Sequence, residues 1–335
     1  MMRTPEFWRG EGPLARILEP FGLLYGAATA WRLARTQPWR APVPVVCVGN
    51  LVAGGAGKTP VALAVARHLR DKGRHPVFLS RGHGGSARGP LRVDPARDGA
   101  ARVGDEALLL AAEAPTIVAR LRVAGARLAV AEGADVIIMD DGYQNPGLYK
   151  DVALVVVDGG YGFGNGRLLP AGPLREPVAR GLKRASAVVL VGEDRHALTR
   201  RFPVSMPVLK AHLLPGLEAV LLAGQRVVAF AGIGRPEKFF ATVRDVGAHV
   251  VACHPFADHR FYAPVDIEPI LDEAFSLGAI PVTTAKDAVR LPPDQRQQVT
   301  VLTVRLAWND ETALDTVLND AVLKRRDHHD PMPSK

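Results

Sequence analysis

Along most of the chain, short β-branched apolar runs alternate with stretches whose apolar residues recur at helical spacing. Val43, Val45, Val46 and Val48 form the first run, which predicts a buried strand, and Val61 to Leu69 has the spacing of a following helix. HPVFLS (His75 to Ser80), PTIVA (Pro115 to Ala119), the four residues Val136 to Met139 and DVALVVVDGG (Asp151 to Gly160) predict further strands. From Ala185 a second series opens with SAVVLVGED, then RVVAFAGIGRPEKFF, GAHVVACHPFADHRF, IPVTTAKDAVRL and VTVLTVRL. This alternation predicts an α/β protein, with Arg195 to Pro215 as the crossover between two lobes. The expected division is an N-terminal helical segment 1–40, a nucleotide-binding lobe 41–195, a smaller lobe 196–325 and a polar, disordered tail 326–335.

The N-terminal segment has a different pattern. Phe7, Trp8, Leu14, Ile17, Leu18, Phe21, Leu24, Tyr25, Trp31 and Trp39 are mixed with Arg9, Arg16, Arg32, Arg35 and Arg40. Its longest uncharged run, Pro20 to Trp31, falls short of the ~20 residues a spanning helix needs. Arg16 and Glu19 interrupt any signal-peptide core. Basic residues beside Trp, Phe and Leu predict a helix lying in a membrane interface. The competing expectation is a helix packed on the protein's own core.

With 335 residues, 47% of them hydrophobic, the chain can bury a core large enough for two domains. The net charge of +8 favours anionic partners, but no dense Lys/Arg block alternates with aromatics, which argues against nucleic acid. Cys47 and Cys253, both in strand-like runs, are too few for a disulfide framework and suit a reducing compartment. Nothing in the pattern points to an obligate protein partner.

The candidate chemistry lies at strand ends. After the first strand, Gly54, Gly55 and Gly57 keep the backbone free of side chains, and Lys58 and Thr59 open the helix. Strand, glycine loop, Lys-Thr, helix is the layout of a phosphate-binding loop, here Val52, Ala53, Gly54, Gly55, Ala56, Gly57, Lys58 and Thr59. Backbone N–H groups would face the phosphates, Lys58 would reach the β/γ oxygens, and Thr59 would meet Mg²⁺. The strict G-x-x-x-x-G-K-[ST] pattern is broken by Val52, leaving a compact GGxGKT form. Downstream, Asp140 and Asp141 leave an apolar strand, as a carboxylate site for Mg²⁺ requires, although Asp-Asp-Gly is also turn chemistry.

Arg81 ends another strand, at a crevice position. Asp105 and Glu106 introduce a helix, where plain capping would explain them equally well. Tyr161 to Pro177 is too rich in Gly and Pro for a regular element and carries Arg167, Arg175 and Glu176. Asp258-His259 and Lys286-Asp287 each follow a strand end.

Taken together, VGNLVAGGAGKTP, SRGHGG, GDEALLLA, DDGYQN, GNGRLLPAGPLREP, FAGIGRPEKFF, FADHRFY and TTAKDAVRL make the sequence closely resemble the tetraacyldisaccharide 4′-kinases, the lipid A kinases of Gram-negative bacteria. The resemblance runs from about Val48 to Leu291. It implies a P-loop NTPase-like three-layer α/β core, a second, smaller α/β lobe and a membrane-associated N-terminal helix. The implied activity is transfer of the γ-phosphate of ATP to the 4′-hydroxyl of an acylated glucosamine disaccharide 1-phosphate, at the cytoplasmic face of the inner membrane. By the same resemblance Asp105 would be the base, supported by His259, and Thr59, Glu106, Asp140 and Asp141 would serve Mg²⁺. Arg81, Asn165 and Arg175 would meet the substrate. The sequence departs from the family's pattern at His83, Asn145 and Ala257, where Tyr, His and Pro are common. Two rivals are a regulatory P-loop ATPase, which would usually carry a lysine where Ala53 stands, and a kinase for a soluble sugar or cofactor, which would leave the N-terminal aromatics without a purpose.

Overall fold

The valine and isoleucine runs form strands buried on both faces. In β1 (Val45–Gly49), Val45 and Cys47 pack to one side of a sheet and Val46 and Val48 to the other. In β5 (Val136–Asp140), Ile137 and Met139 join the first set and Val136 and Ile138 the second. A period of two inside a continuous apolar run signifies a parallel sheet covered by helices on each face. The computed structural model describes residues 5–318 and 322. The expected tail, 326–335, lies outside the described residues.

Among the described residues nine strands make the main sheet. Besides β1 and β5 these are β2 (Pro76–Ser80), β3 (Leu91–Arg92), β4 (Thr116–Val118), β6 (Val152–Asp158), β7 (Ala187–Val191), β8 (Val208–Pro215) and β13 (Val304–Trp308). Their order is β13–β8–β7–β6–β1–β5–β2–β4–β3. The edge strands β3 and β13 run antiparallel to their neighbours and the other pairings are parallel. β9 (Arg226–Ala231), β10 (His249–Pro255), β11 (Ile280–Thr284) and β12 (Thr300–Leu302) form a separate parallel sheet in the order β10–β9–β11–β12. It has its own cores on its two faces, with Val227 and Ala229 on one and Val228 and Phe230 on the other.

The chain therefore leaves the main sheet after β8, builds the second lobe, and returns along β13. β8 and β13 fall in the stretch expected for the second lobe, yet they pair with each other and extend the large sheet through β7. The helix Glu311–Leu318 then packs beside α2 (Lys58–Asp71), where Asp315 accepts from Lys72 at 2.8 Å and lies 2.7 Å from His68.

Before β1 stands α1 (Pro13–Arg35). Its buried residues are Ala15, Gly22, Gly26 and Thr29, while Leu14, Ile17, Phe21, Leu23, Leu24 and Trp31 face outward. The close approach explains the glycines: a Cβ on Gly26 would stand 2.6 Å from Leu168 Cδ1, and one on Gly22 3.0 Å from the Leu168 carbonyl oxygen. Trp39 and Arg40, in the segment expected to belong to the N-terminal piece, are tied into the main lobe. Trp39 bridges to Leu148, and Arg40 donates to Asp151 at 3.0 Å. Among the described residues no helix is long and apolar enough to cross a membrane.

Candidate active site

The loop that leaves β1 emerges between β5 and β6 at the carboxyl ends of the parallel strands, where open α/β sheets hold ligands. Gly57 turns it into α2 with φ +82°, a left-handed conformation that glycine adopts without strain. Of the expected loop residues, Val52, Ala53, Gly54, Gly55 and Ala56 line one small cleft together with Asp158, Tyr161 and Arg235. Register then places the carboxylates. Val48 pairs with Asp140, and the Asp141 N–H donates to the Val48 carbonyl at 3.0 Å, so both aspartates flank the start of the loop. Lys58 Nζ lies 3.7 Å from Asp141 Oδ1. Arg175 approaches the same carboxylate with both Nη atoms, at 3.0 and 3.5 Å.

These adjacent carboxyls are shifted in opposite directions. Burial, then the charges of Glu106 and Asp141, push the Asp140 carboxyl up to about 7, against Lys58 and Arg122. Burial also opposes charge on Asp141, but Lys58 and Arg175 outweigh it and hold that carboxyl below its ordinary value. Asp140 Oδ1 is buried without a hydrogen-bond partner among the described residues. An orphaned, reluctantly ionised carboxylate oxygen beside a phosphate loop fits a cation. Among the described residues no three His, Cys, Asp or Glu side chains gather around one point.

The second cluster joins the two lobes. Asp105 opens the helix Asp105–Ala111, and its Oδ1 accepts from the Glu106 N–H at 2.9 Å. Gly104 before it has φ +90°, and a Cβ there would meet the His83 carbonyl oxygen at 2.4 Å, so only glycine lets the helix start this close to the His83 loop. His259 comes from the second lobe, beyond β10, and its Nδ1 lies 3.0 Å from Asp105 Oδ2. The expected pair is thus in contact across 154 residues of sequence. Arg290 Nε stands 3.5 Å from the same oxygen. Burial alone would raise the Asp105 pKa, but the His259 hydrogen bond and the Lys286, His259 and Arg290 charges hold it below its ordinary value, leaving a carboxylate. Asp141 and His259 both have positive φ, 50° and 57°. Non-glycine residues held there cost on the order of 1–3 kcal/mol each and concentrate at functional sites.

Other expected residues behave differently. Glu106 forms an ion pair with Lys286 at 3.1 Å, and its charge still acts on Asp140. Arg81 is exposed at the end of β2, where its charge, after burial, acts against the buried Arg122 cation. Asn165 is not brought to the cluster. Its amide donates to the carbonyls of Phe7, Gly10 and Ala171, and its Oδ1 accepts from the Arg167 N–H, so it ties the N-terminal turn to the proline-rich loop. Asn145 caps its own turn by accepting from the Gly147 N–H at 3.0 Å, while the His83 ring packs edge-on against His259 at 5.2 Å.

Sequence reasoning passed over Arg235 and Asp158. Arg235 crosses from the second lobe, donating to the Gly55 carbonyl at 2.9 Å and to Asp158 Oδ2 at 2.5 Å, and Lys238 reaches the same oxygen. The available signal was position alone, because Asp158 ends β6 and Arg235 follows β9, both at carboxyl ends.

A parallel sheet with a Lys-Thr phosphate loop, flanking carboxylates and a carboxylate–imidazole pair shared between lobes defines a P-loop phosphotransferase. Residues 14–323 match the family model described as tetraacyldisaccharide-1-P 4′-kinase, and the chain belongs to that family. It is 58% identical to the tetraacyldisaccharide 4′-kinase of Rhodospirillum rubrum over 97% of this chain and 99% of the relative. Against the enzyme of the same name from Rhodospirillum centenum the identity is 54%, over 98% and 99%. Among solved structures, LpxK from Aquifex aeolicus, in complex with ATP, superposes with a TM-score of 0.73 at 26% identity, covering 91% of this chain and 98% of that one.

Proposed function

We propose that this protein transfers the γ-phosphate of ATP to the 4′-hydroxyl of an acylated glucosamine disaccharide 1-phosphate, the lipid A precursor. The observation that carries the reading is that the phosphate loop and the Asp258–His259 turn approach each other at Gly234, where a Cβ would stand 3.6 Å from the Gly55 nitrogen and 3.4 Å from Asp258 Oδ2. The Glu106 charge raises the Asp140 pKa, and Asp105, Glu106 and Asp141 all act on His83. Phosphoryl transfer asks for positioning and charge neutralisation more than covalent help. The loop amides and Lys58 hold the phosphates, while Arg175 fixes Asp141. Asp105 is the base on the acceptor hydroxyl. Its depressed pKa matches a proton accepted late, when the oxygen–phosphorus bond is largely formed. Asp140 and Thr59 would hold Mg²⁺, which when bound neutralises phosphate charge.

The outward face of α1 supports a lipid acceptor. Ile17, Leu24 and Trp31 are 68%, 69% and 61% exposed, with Arg16, Arg32 and Arg35 beside them, as suits a helix lying on an anionic bilayer. We place the enzyme on the cytoplasmic face of the inner membrane, where ATP and the acylated acceptor meet. The test supplies γ-labelled ATP with the tetraacyl disaccharide 1-phosphate in mixed micelles and, separately, with glucosamine. The expected result is label on the lipid alone. Label on glucosamine, or ATP hydrolysis without transfer to either acceptor, would favour a soluble-sugar kinase or a regulatory ATPase respectively.

A further inference from the structure

The TTAKDAVRL stretch has so far entered only through the Lys286 and Arg290 charges on Asp105. Thr284 ends β11 and caps a short helix, Ala285–Ala288, by accepting from the Asp287 N–H. That helix packs on the first-lobe helix Asp105–Ala111. Asp287 anchors the turn. Its Oδ1 accepts from the Gly232 N–H at 2.8 Å, the Tyr262 hydroxyl at 2.6 Å and Arg290 at 2.7 Å. Gly232 in turn accepts from the His259 N–H at 3.2 Å, so the loops carrying Lys286 and His259 are fixed to one frame. From it Lys286 Nζ reaches Glu106 Oε1 at 3.1 Å and His259 Nε2 at 3.2 Å.

An ammonium has three donors and no acceptor. At 3.2 Å from Lys286, Nε2 of His259 must therefore offer its lone pair, and the ring proton must sit on Nδ1, facing Asp105. We propose that Lys286 is a positioning residue of the transfer reaction, fixing His259 as the Nδ1–H tautomer that donates to Asp105 and binding Glu106 of the first lobe to the same frame. The proposal rests on the reading of Asp105 as the base.

The surroundings keep Lys286 charged. Burial acts against the ammonium, but Glu106, Asp105 and Asp258 outweigh it and hold its pKa above the ordinary value. The charged and titratable neighbours of the Asp105–His259 pair are Glu106, Lys286 and Arg290, Asp258 at 3.8 Å from Nε2, and the His83 ring. Asp258 is too distant to accept a hydrogen bond from Nε2, so among the described residues no neighbour competes with Lys286 for that nitrogen. The fixed tautomer matters because Nδ1–H leaves Asp105 an acceptor held in orientation, with capacity remaining for the substrate proton.

The test has two arms on the full chain in detergent micelles. Long-range ¹H–¹⁵N correlation of ¹⁵N-histidine protein, with His259 assigned by its loss in His259→Asn, should show the Nδ1–H tautomer in the unmutated protein. The Nε2–H tautomer or an imidazolium would overturn the proposal, whatever happens to any variant. In steady-state transfer, Lys286→Met should lose at least about tenfold in kcat with KM for ATP within about threefold, and Lys286→Arg should recover part of it. In a His259→Ala background the same substitution should cost less than about threefold, because residues acting as a unit are not additive. An equal loss in both backgrounds, or a loss carried by KM for ATP, would overturn it. A normal rate for Asp105→Ala would overturn the assignment of the base instead, and would leave the tautomer measurement intact.

Discussion

The nucleotide end and the acceptor end of the crevice are built in different ways. The nucleotide end is largely local: β1, the glycine loop and α2 are contiguous, Asp140 and Asp141 join them through one step of strand register, and Arg235 reaches the loop from the second lobe. The acceptor end is assembled. Asp105 and Glu106 come from the first lobe and His259, Lys286 and Arg290 from the second, with side chains 154 to 185 positions apart in contact. Phosphate is recognised largely by backbone amides, which any chain can present in succession. A base that must be oriented needs side chains aimed from several directions, and only a closed pair of lobes supplies them.

The sharpest way to break this contrast is at the local end. Lys58→Ala should lower kcat by about a thousandfold or more while the circular dichroism spectrum is unchanged, because Lys58 neutralises charge that grows in transfer. Near-normal transfer by a folded variant would remove the loop from the chemistry. At the assembled end, Asp105→Ala and His259→Ala should each lose about 10²- to 10⁴-fold, the range of a lost general base, and the double variant little more than the worse single. Multiplying losses would make the two residues independent.

A smaller effect should separate the two aspartates. Asp140 has an ordinary pKa in the unfolded chain and one of about 7 in the fold. Between pH 4 and 7 the folded state therefore binds the extra proton, and stability falls as pH rises across that window. Asp140→Asn should raise Tm at pH 8, in protein free of nucleotide and Mg²⁺, and change it little near pH 4. Asp141 has the opposite sign: its contribution is present above its unfolded pKa and lost as pH falls through its depressed folded value. Equal pH profiles for Asp140→Asn and Asp141→Asn would contradict the asymmetry.

The smallest effect on the crevice should come from α1. Replacing Ile17 and Leu24 together by Glu should lower sedimentation with anionic vesicles and leave Tm unchanged, since both side chains face outward. Gly26→Leu should do the reverse, because its side chain would collide with Leu168. A truncation to remove the helix should stop at Arg35, as Trp39 and Arg40 support the main lobe. Unchanged vesicle binding by the double glutamate variant would place attachment elsewhere.

What could be read in the sequence follows the same division. The phosphate loop and Asp140–Asp141 were legible because their spacing is their mechanism. The Asp105–His259 pair was available only through resemblance to a family, since neither residue type nor position distinguishes it from a helix cap and a surface turn. Lys286 could be placed only just past a strand end, and Arg290 was not singled out, because Glu106 and Asp105, which they meet, lie in the other lobe. Asn165 sits in a stretch that suggested substrate contact, yet its amide is occupied by backbone carbonyls. In α1 the pattern of Trp, Leu and Arg was plain, but the buried face was not, because Ala15, Gly22 and Gly26 give no hydrophobic signal. The outer limits of the second lobe were obscured by β8 and β13, whose apolar patterns resemble those of its own strands.

The account turns on the claim that binding the nucleotide and activating the acceptor are separate tasks of separately built clusters. Calorimetric titration of Asp105→Ala with ATP, alongside label transfer to the tetraacyl disaccharide 1-phosphate by the same preparation, tests it directly. The account predicts ATP affinity within about threefold of the unmutated protein and transfer lowered at least about a hundredfold. Transfer at the unmutated rate, or loss of ATP binding in step with transfer, would contradict it.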